Sequence, residues 1–265
     1  MNRLLFMKKA VSIRAVIPNV ITVLALCLGL TAIKFTLVQN FHYAVICVTL
    51  AAVLDAADGR IARLIKGTSK FGAELDSLVD FVNFGVAPAL IIYIWELNMY
   101  GNLGWLATLL FVICCCLRLA RFNVSSVVTK SPWLENFFTG VPSPAGAGIL
   151  LLPVILSLSN FSNSITQINN VSLSVVLITS FLMISKIPTY AFKKFKVTKP
   201  IILLVMVISG LVFGFLINYT FETLFVVGIL YLLSIPVSFF HYKIVKKKHN
   251  LKISSKDSLI SDDLL

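Results

Sequence analysis

The chain has 265 residues, of which 58% are hydrophobic and 13% are charged, and its formal net charge is +12 at pH 7. Its mean hydropathy of +0.94 excludes an ordinary water-soluble domain. In a soluble protein this positive charge would suggest nucleic-acid binding, but the Lys and Arg residues lie mainly in loops between apolar stretches, which is typical of membrane topology. We therefore expect an integral membrane protein with no nucleic-acid partner.

Eight apolar stretches predict membrane spans, because each approaches or exceeds the ~20 residues that a spanning helix requires. Their apolar sequence is long and does not alternate, which favours helices over a barrel. The fold class is thus an all-α polytopic bundle of about eight transmembrane helices, in one membrane domain at 1–250 with a polar, disordered tail at 251–265. The predicted spans are 17–38, 43–64, 72–95, 103–122, 145–160, 172–190, 201–217 and 223–242.

The loops between the predicted spans differ in charge. Connections that follow even-numbered spans carry Lys and Arg, whereas the connections at 39–42, 96–102, 161–171 and 218–222 contain neither. Basic loops stay on the cytoplasmic side of a membrane, so both termini are expected to face the cytoplasm.

The second and third predicted spans contain four aspartates. At a helix centre each would cost roughly 2.5–3.5 kcal/mol on insertion, so the four require a cation, a partner or a water-filled cavity. At 100° per residue the acids of each helix share one face, and Asn83 lies on the same face as those of the third helix. The pattern is Asp55-x2-Asp58-Gly59-x2-Ala62-Arg63-x8-Gly72-x3-Asp76-x3-Asp80.

The two acidic faces are expected to meet. Counting outward from a turn near residues 67–68 places Asp58 level with Asp76, and Asp55 level with Asp80. Hard oxygen ligands without His or Cys favour Mg²⁺, Mn²⁺ or Ca²⁺, and a pair of ions about 3.5–4 Å apart would suit phosphoryl transfer. The sequence therefore predicts a divalent metal site, with two ions, in the cytoplasmic half of the membrane.

Residues beside the acids fit a phosphate ligand. Gly59 and Gly72 would let a ligand or a neighbouring backbone come close, and Arg63 can hold a phosphate through two parallel hydrogen bonds. Two alternatives remain at this point: a structural network in which Arg60, Arg63 and Lys66 pair with the acids, and a cation transporter with carboxylates in its bundle.

The complete spacing from Asp55 to Asp80 resembles the signature of the CDP-alcohol phosphatidyltransferases. The resemblance implies a membrane enzyme that transfers a phosphatidyl group from CDP-diacylglycerol to an alcohol and releases CMP, and it suggests a homodimer in a bacterial inner membrane. It further implies that all four aspartates bind metal and that Asp80 is the catalytic base. The implied CDP contacts are Gly59, Arg63 and Ser69, with Asn19 and Thr22 as weaker candidates.

The flanking segments are similar to the branch of the family that uses L-serine as the acceptor. They include 18–22, 80–89, 118–123, 140–147 and 184–189, so the likeness extends over roughly residues 15–200. Many relatives carry an Asn shortly after the Thr of helix one, whereas this chain has none in Thr22-Val23-Leu24-Ala25-Leu26-Cys27. Glycerol 3-phosphate and inositol phosphate remain alternative acceptors. Residues expected to bind the acceptor are Arg118, Arg121, Asn123 and Lys186.

Overall fold

The computed structural model describes residues 13–65, 69–126, 137–161, 171–190 and 199–262. Nearly all of these residues are helical. The α-helices are α1 (Ile13–Leu37), α2 (Phe41–Leu64), α3 (Lys70–Asp80), α4 (Ala87–Trp95), α5 (Asn102–Ser126), α6 (Ser143–Leu150), α7 (Leu152–Leu158), α8 (Val171–Ile184), α9 (Lys199–Asn218) and α10 (Thr220–Asp262).

Within the described residues, helical segments lie at each of the eight predicted spans. One of them is interrupted: α3, a π-helix at Phe81–Val86 and α4 follow one another without a break. Another is divided at Leu151, where α6 ends and α7 begins. The prediction of an all-α membrane protein is confirmed.

In the part of the chain that the structure describes, four helices are long and apolar enough to cross a membrane, judged by length and composition. Two further apolar helices are shorter. The four are Val16–Leu37, Lys70–Trp95, Asn102–Ser125 and Thr220–Val245, and the shorter two are Val171–Ile184 and Met206–Asn218.

The chain divides into two compact units, Met1–Leu119 and Ala120–Leu265, with the boundary inside α5. That both belong to one membrane domain stays a prediction. The helix α10 continues to Asp262, so most of the segment expected to be a disordered tail is helical in the structure.

In the first unit, α1 packs against α2, α3, the π-helix and α4. The residues that α1 buries recur every three or four positions, which is the spacing of one helix face. Several are small, and small residues let neighbouring helices approach closely. The buried set is Pro18, Thr22, Ala25, Gly29, Ala32 and Thr36.

The π-helix carries three consecutive buried residues, Asn83, Phe84 and Gly85. Ala87 donates its backbone N–H to the carbonyl of Val82, five residues earlier. Pro88 follows and has no N–H to donate to the carbonyl of Phe84, so one α-helical bond is missing here. The wider turn changes which residues of this segment face α1.

In the second unit, an apolar core forms around Val141, Ile149, Leu152 and Ile235. The unit also contains two short strands, β1 (Phe137–Thr139) and β2 (Pro188–Tyr190). They pair antiparallel, with Thr139 opposite Pro188.

Candidate active site

Three carboxylates converge in the first unit. Asp55 comes from α2, Asp76 and Asp80 come from α3, and one carboxylate oxygen of each lies within 4.8 Å of the others. The closeness of the Asp55 and Asp80 oxygens agrees with the prediction that these two residues lie level in the helix pair. Carboxylates this close repel unless a proton or a cation lies between them. The donor set is therefore suited to a divalent metal that prefers oxygen.

Asp58 lies outside this group of three and has a partner of its own. It is only 4% exposed, and its Oδ2 accepts a hydrogen bond of 2.7 Å from the Thr22 hydroxyl. That hydroxyl also lies 3.0 Å from the carbonyl of Pro18, one turn earlier on α1. The contact ties α1 to the acidic face of α2. A metal-ligand role for Asp58 stays a prediction.

A cavity of about 240 Å³ opens beside the acids. All five residues predicted to contact CDP line it, and Asp76 belongs both to this cavity and to the carboxylate group. That the five bind CDP stays a prediction. The complete lining is Pro18, Asn19, Thr22, Asp58, Gly59, Ala62, Arg63, Ser69, Gly72, Ala73 and Asp76.

The start of α3 shapes one wall of the cavity. Ser69 is the N-cap residue, and its side-chain oxygen accepts the N–H of Gly72 at 2.9 Å. A Cβ on Gly72 would lie 2.7 Å from Oδ1 of Asn19, so a larger residue here would force the Asn19 side chain to move. The end of α2 shapes another wall.

On α2, the exposed side chain of Arg63 donates from Nε to the carbonyl of Gly59 at 2.9 Å. A Cβ on Gly59 would meet no atom within 4 Å, so this glycine leaves open space for a ligand instead of for another helix.

The predicted acceptor-binding residues have different surroundings. Arg118, in the first unit, is only 8% exposed and interacts electrostatically with the carboxyl group of Asp80. In the second unit, Asn123 is half-buried and Lys186 is exposed. Acceptor binding by these residues stays a prediction.

Arg121, also in the second unit, donates to main-chain carbonyls. Its Nη1 lies 2.8 Å from the carbonyl of Ile184, and its Nη2 lies 3.2 Å from the carbonyl of Thr139 and 3.4 Å from those of Met183 and Ser185. These contacts satisfy carbonyls at the end of α8 and join them to β1. The geometry is that of a structural clamp, while acceptor binding by Arg121 remains untested.

Gly140 completes the clamp. Its φ of +81° favours glycine, and a Cβ there would lie 2.8 Å from the carbonyl oxygen of Ser185 and 3.0 Å from Nη2 of Arg121. Sequence reasoning did not single out this glycine as a partner of Arg121.

Two contacts between helices of the first unit were also not predicted from the sequence. The bond from Thr22 to Asp58 and the approach of Gly29 to Asn83 both join α1 to the acidic helices. A signal was present in the sequence, because Thr22 and Gly29 are seven residues apart and therefore share a face of α1.

The fold and site together define a helical membrane protein with an acidic, oxygen-donor cluster beside a cavity. Residues 15–182 match the CDP-alcohol phosphatidyltransferase family, and residues 201–236 match the family described as CDP-alcohol phosphatidyltransferase 2. The chain belongs to the CDP-alcohol phosphatidyltransferase family. The second match extends the likeness beyond residue 200, where the sequence motifs end.

Similar curated proteins are named CDP-diacylglycerol--serine O-phosphatidyltransferase. One from Mycobacterium tuberculosis is 46% identical over 133 residues, which are 50% of this chain and 46% of that protein. One from Helicobacter pylori is 39% identical over 197 residues, 74% of this chain and 81% of that protein. One from Bacillus subtilis is 38% identical over 178 residues, 67% of this chain and 92% of that protein. The chain thus spans about half the length of the mycobacterial relatives that it matches.

Proposed function

We propose that this protein transfers the phosphatidyl group of CDP-diacylglycerol to the hydroxyl group of L-serine, which gives phosphatidylserine and CMP. The single observation that carries the proposal is the position of Asp76, which belongs both to the three-carboxylate group and to the lining of the cavity. A phosphate group held in the cavity would therefore lie beside the acids. The names of the relatives support CDP-diacylglycerol and serine as the substrates.

The proposed cofactor is a divalent metal, Mg²⁺ or Mn²⁺, with Ca²⁺ as a further candidate and two ions as the expected number. Asp55, Asp76 and Asp80 would hold it, with Asp58 as the predicted fourth ligand. The fit rests on the donor set, since three carboxylates this close need a cation and offer only hard oxygen ligands. When bound, the metal would neutralise pyrophosphate charge and stabilise the departing CMP.

Other residues of the chain would bind the CDP portion and transfer the proton. Arg63, Ser69 and the open face of Gly59 would bind the CDP portion, while the acyl chains stay in lipid. Asp80 would accept the proton of the serine hydroxyl as its oxygen attacks the phosphorus that carries diacylglycerol. The bond from that phosphorus to the bridging oxygen breaks, and CMP leaves with the electron pair.

Serine brings a carboxylate that needs a cation. Of the predicted acceptor residues, Arg118 is the one whose charge acts on Asp80, and its buried guanidinium can form a charge-assisted hydrogen bond with a carboxylate. A buried cation that acts on the proposed base supports serine as the acceptor. Arg118 is thus the proposed serine-carboxylate ligand.

The proposed location is the bacterial inner membrane, with the cavity and both termini on the cytoplasmic side. The charge difference between the loops supports this orientation, because basic loops remain in the cytoplasm. Soluble serine would then reach the acids from the cytoplasm. A homodimer is the proposed assembly, and it rests on the family resemblance alone.

The test uses the purified full chain in detergent with CDP-diacylglycerol and Mn²⁺ or Mg²⁺. CMP release is measured with L-serine, glycerol 3-phosphate or inositol phosphate, and again after a chelator is added. We expect release that depends on metal and is stimulated by serine alone. The variant Asp76→Asn should lose the activity, and Glu74→Gln, an exposed acid on the same helix, should keep it.

Each other outcome has a defined meaning. Stimulation by a different alcohol would replace serine as the acceptor and keep the chemistry. Release that persists after complete metal removal would overturn the metal assignment. A folded protein that releases no CMP with any of the three alcohols would overturn the enzyme proposal and favour a cation transporter, which needs a sealed compartment and produces no CMP.

A further inference from the structure

Asn83 is a buried amide for which sequence reasoning supplied no role. It lies in the π-helix immediately after α3, and its side chain is 0% exposed. Within the described part of the chain, neither its Nδ2 nor its Oδ1 has a hydrogen-bond partner. Amide groups buried this deeply are nearly always hydrogen-bonded, and the penalty for leaving them unpaired is greatest in an apolar environment. Asn83 therefore indicates a polar ligand.

Asp80, three residues earlier, also has a buried side-chain atom without a hydrogen-bond partner among the described residues, its Oδ1. Asp80 ends α3 and Asn83 lies in the π-helix three residues later, so less than one helical turn separates them. Asp80 thus offers an acceptor within one turn of an amide that offers two donors and one acceptor.

The helix α1 closes this region from the other side. A Cβ on Gly29 would overlap Oδ1 of Asn83 and lie 2.9 Å from its Cγ, so the amide fills the space that glycine leaves. Gly29 follows Thr22, the partner of Asp58, by seven residues, or about 10 Å along the helix. Asn83 therefore lies deeper in the helix bundle than the cavity and does not line it.

We propose that Asn83 and Asp80 hold a buried water molecule between them, and that Asn83 thereby fixes the orientation of the Asp80 carboxylate. A buried water needs two to four polar partners, and Nδ2 of Asn83 as a donor and Oδ1 of Asp80 as an acceptor supply two. Asn83 is then a positioning residue, because it acts through Asp80 and touches neither substrate. The inference rests on the proposed function, in which Asp80 is both base and metal ligand.

The test compares two substitutions at residue 83. Asn83→Leu has similar size and no polar atoms, whereas Asn83→Ser keeps a donor and an acceptor and leaves room for water. Measured quantities are kcat, KM for each substrate, the midpoint of thermal unfolding, and Mn²⁺ affinity in detergent without substrates. Groups that orient a metal ligand typically change metal affinity or activity by about 10–100-fold when removed. We expect Asn83→Leu to lower kcat and Mn²⁺ affinity in this range with both KM values unchanged, and Asn83→Ser to recover most of the loss.

A second variant reaches Asn83 without changing it. Gly29→Ala places a methyl group against the amide and should lower kcat and Mn²⁺ affinity in the same direction. Thr36→Val is the matched control, because Thr36 is a fully buried polar residue of the same helix whose hydroxyl donates to the carbonyl of Ala32. The control should leave kcat and Mn²⁺ affinity unchanged.

Three outcomes overturn the inference. The first is a folded Asn83→Leu protein with wild-type kcat and Mn²⁺ affinity. The second is an equal loss in the Leu and Ser variants that follows an equal fall in the unfolding midpoint, since that pattern belongs to packing alone. The third is a wild-type protein that binds none of Mn²⁺, Mg²⁺ and Ca²⁺, which would also remove the metal proposal. If the wild type binds Mn²⁺ but releases no CMP, the proposed function fails, and the Mn²⁺ affinities of the Leu and Ser variants still decide the role of Asn83.

Discussion

The two units each contain a conspicuous charged group, and the surroundings of the two groups differ. In the first unit, three carboxylates converge on one another, and an oxygen of Asp80 is buried without a partner among the described residues. In the second unit, the guanidinium of Arg121 donates to carbonyls of Thr139, Met183, Ile184 and Ser185. The carboxylate group needs a cation or a proton from outside the chain, whereas Arg121 forms its hydrogen bonds within the chain.

This difference distinguishes a candidate binding site from a charged residue that stabilises the fold. A charge whose bonds end on the main chain stabilises the fold, and a cluster of like charges raises the free energy of the fold until a ligand arrives. Ser238 on α10, in the second unit, is uncharged, and its fully buried hydroxyl has no hydrogen bond among the described residues. Substitutions on the two sides should therefore affect different measurements.

The largest effect is expected at the proposed base. Asp80→Asn removes the proton acceptor and keeps one oxygen ligand, so kcat should fall by about 10²–10⁴-fold in the CMP-release assay. Glu74→Gln is the control, since Glu74 is an exposed acid on α3. Normal turnover by a folded Asp80→Asn protein would refute the base assignment.

Arg118 should affect the acceptor. Because hydrogen bonds to charged groups contribute about 1.5–3 kcal/mol, Arg118→Gln should raise KM for serine by roughly 10–100-fold. KM for CDP-diacylglycerol should stay the same. Arg118→Lys, which keeps the charge, should recover part of the loss. An unchanged KM for serine in the Gln variant would remove Arg118 from the acceptor site.

The open face of Gly59 gives a test of the cavity. A methyl group there meets no protein atom, and alanine favours a helix over glycine, so Gly59→Ala should fold at least as stably as the wild type. A methyl group added in a fitted space costs about 1–3 kcal/mol, so KM for CDP-diacylglycerol should rise by roughly tenfold.

The matched control for this cavity test is Gly148→Ala on α6, where a methyl group also meets no protein atom within 4 Å. It should likewise fold at least as stably as the wild type, and it should leave KM unchanged. Equal KM values for the Gly59→Ala protein and the wild type would show that CDP-diacylglycerol does not approach this face of α2.

The smallest effect on activity is expected at Arg121. Arg121→Gln removes bonds from a charged donor to main-chain carbonyls, so the unfolding midpoint should fall by about 3–10 °C. KM for serine should be unchanged, and Lys186→Gln, an exposed cation just after α8, should leave the midpoint where it is. The opposite result, a raised KM for serine with an unchanged midpoint, would place Arg121 in the acceptor site as the sequence predicts.

Local pattern determined much of this protein. Apolar length predicted the helix positions, and helix periodicity together with counting from a turn placed Asp55 level with Asp80, whose carboxylate oxygens lie within 4.8 Å of each other. The family resemblance also selected five residues that line one cavity, Asn19, Thr22, Gly59, Arg63 and Ser69. These features depend on residues close together in the chain, or on one short turn, so the sequence contains them directly.

Contacts between distant segments were decided only by the tertiary structure. The bond from Thr22 to Asp58 joins residues 36 apart, and Arg121 reaches a carbonyl 63 residues away. The π-helix also shifts the face that Asn83 presents, which a regular period of 3.6 residues does not anticipate. Periodicity tells which side of a helix is polar, but the partner of a polar group depends on which helix packs there, and that is a property of the whole fold.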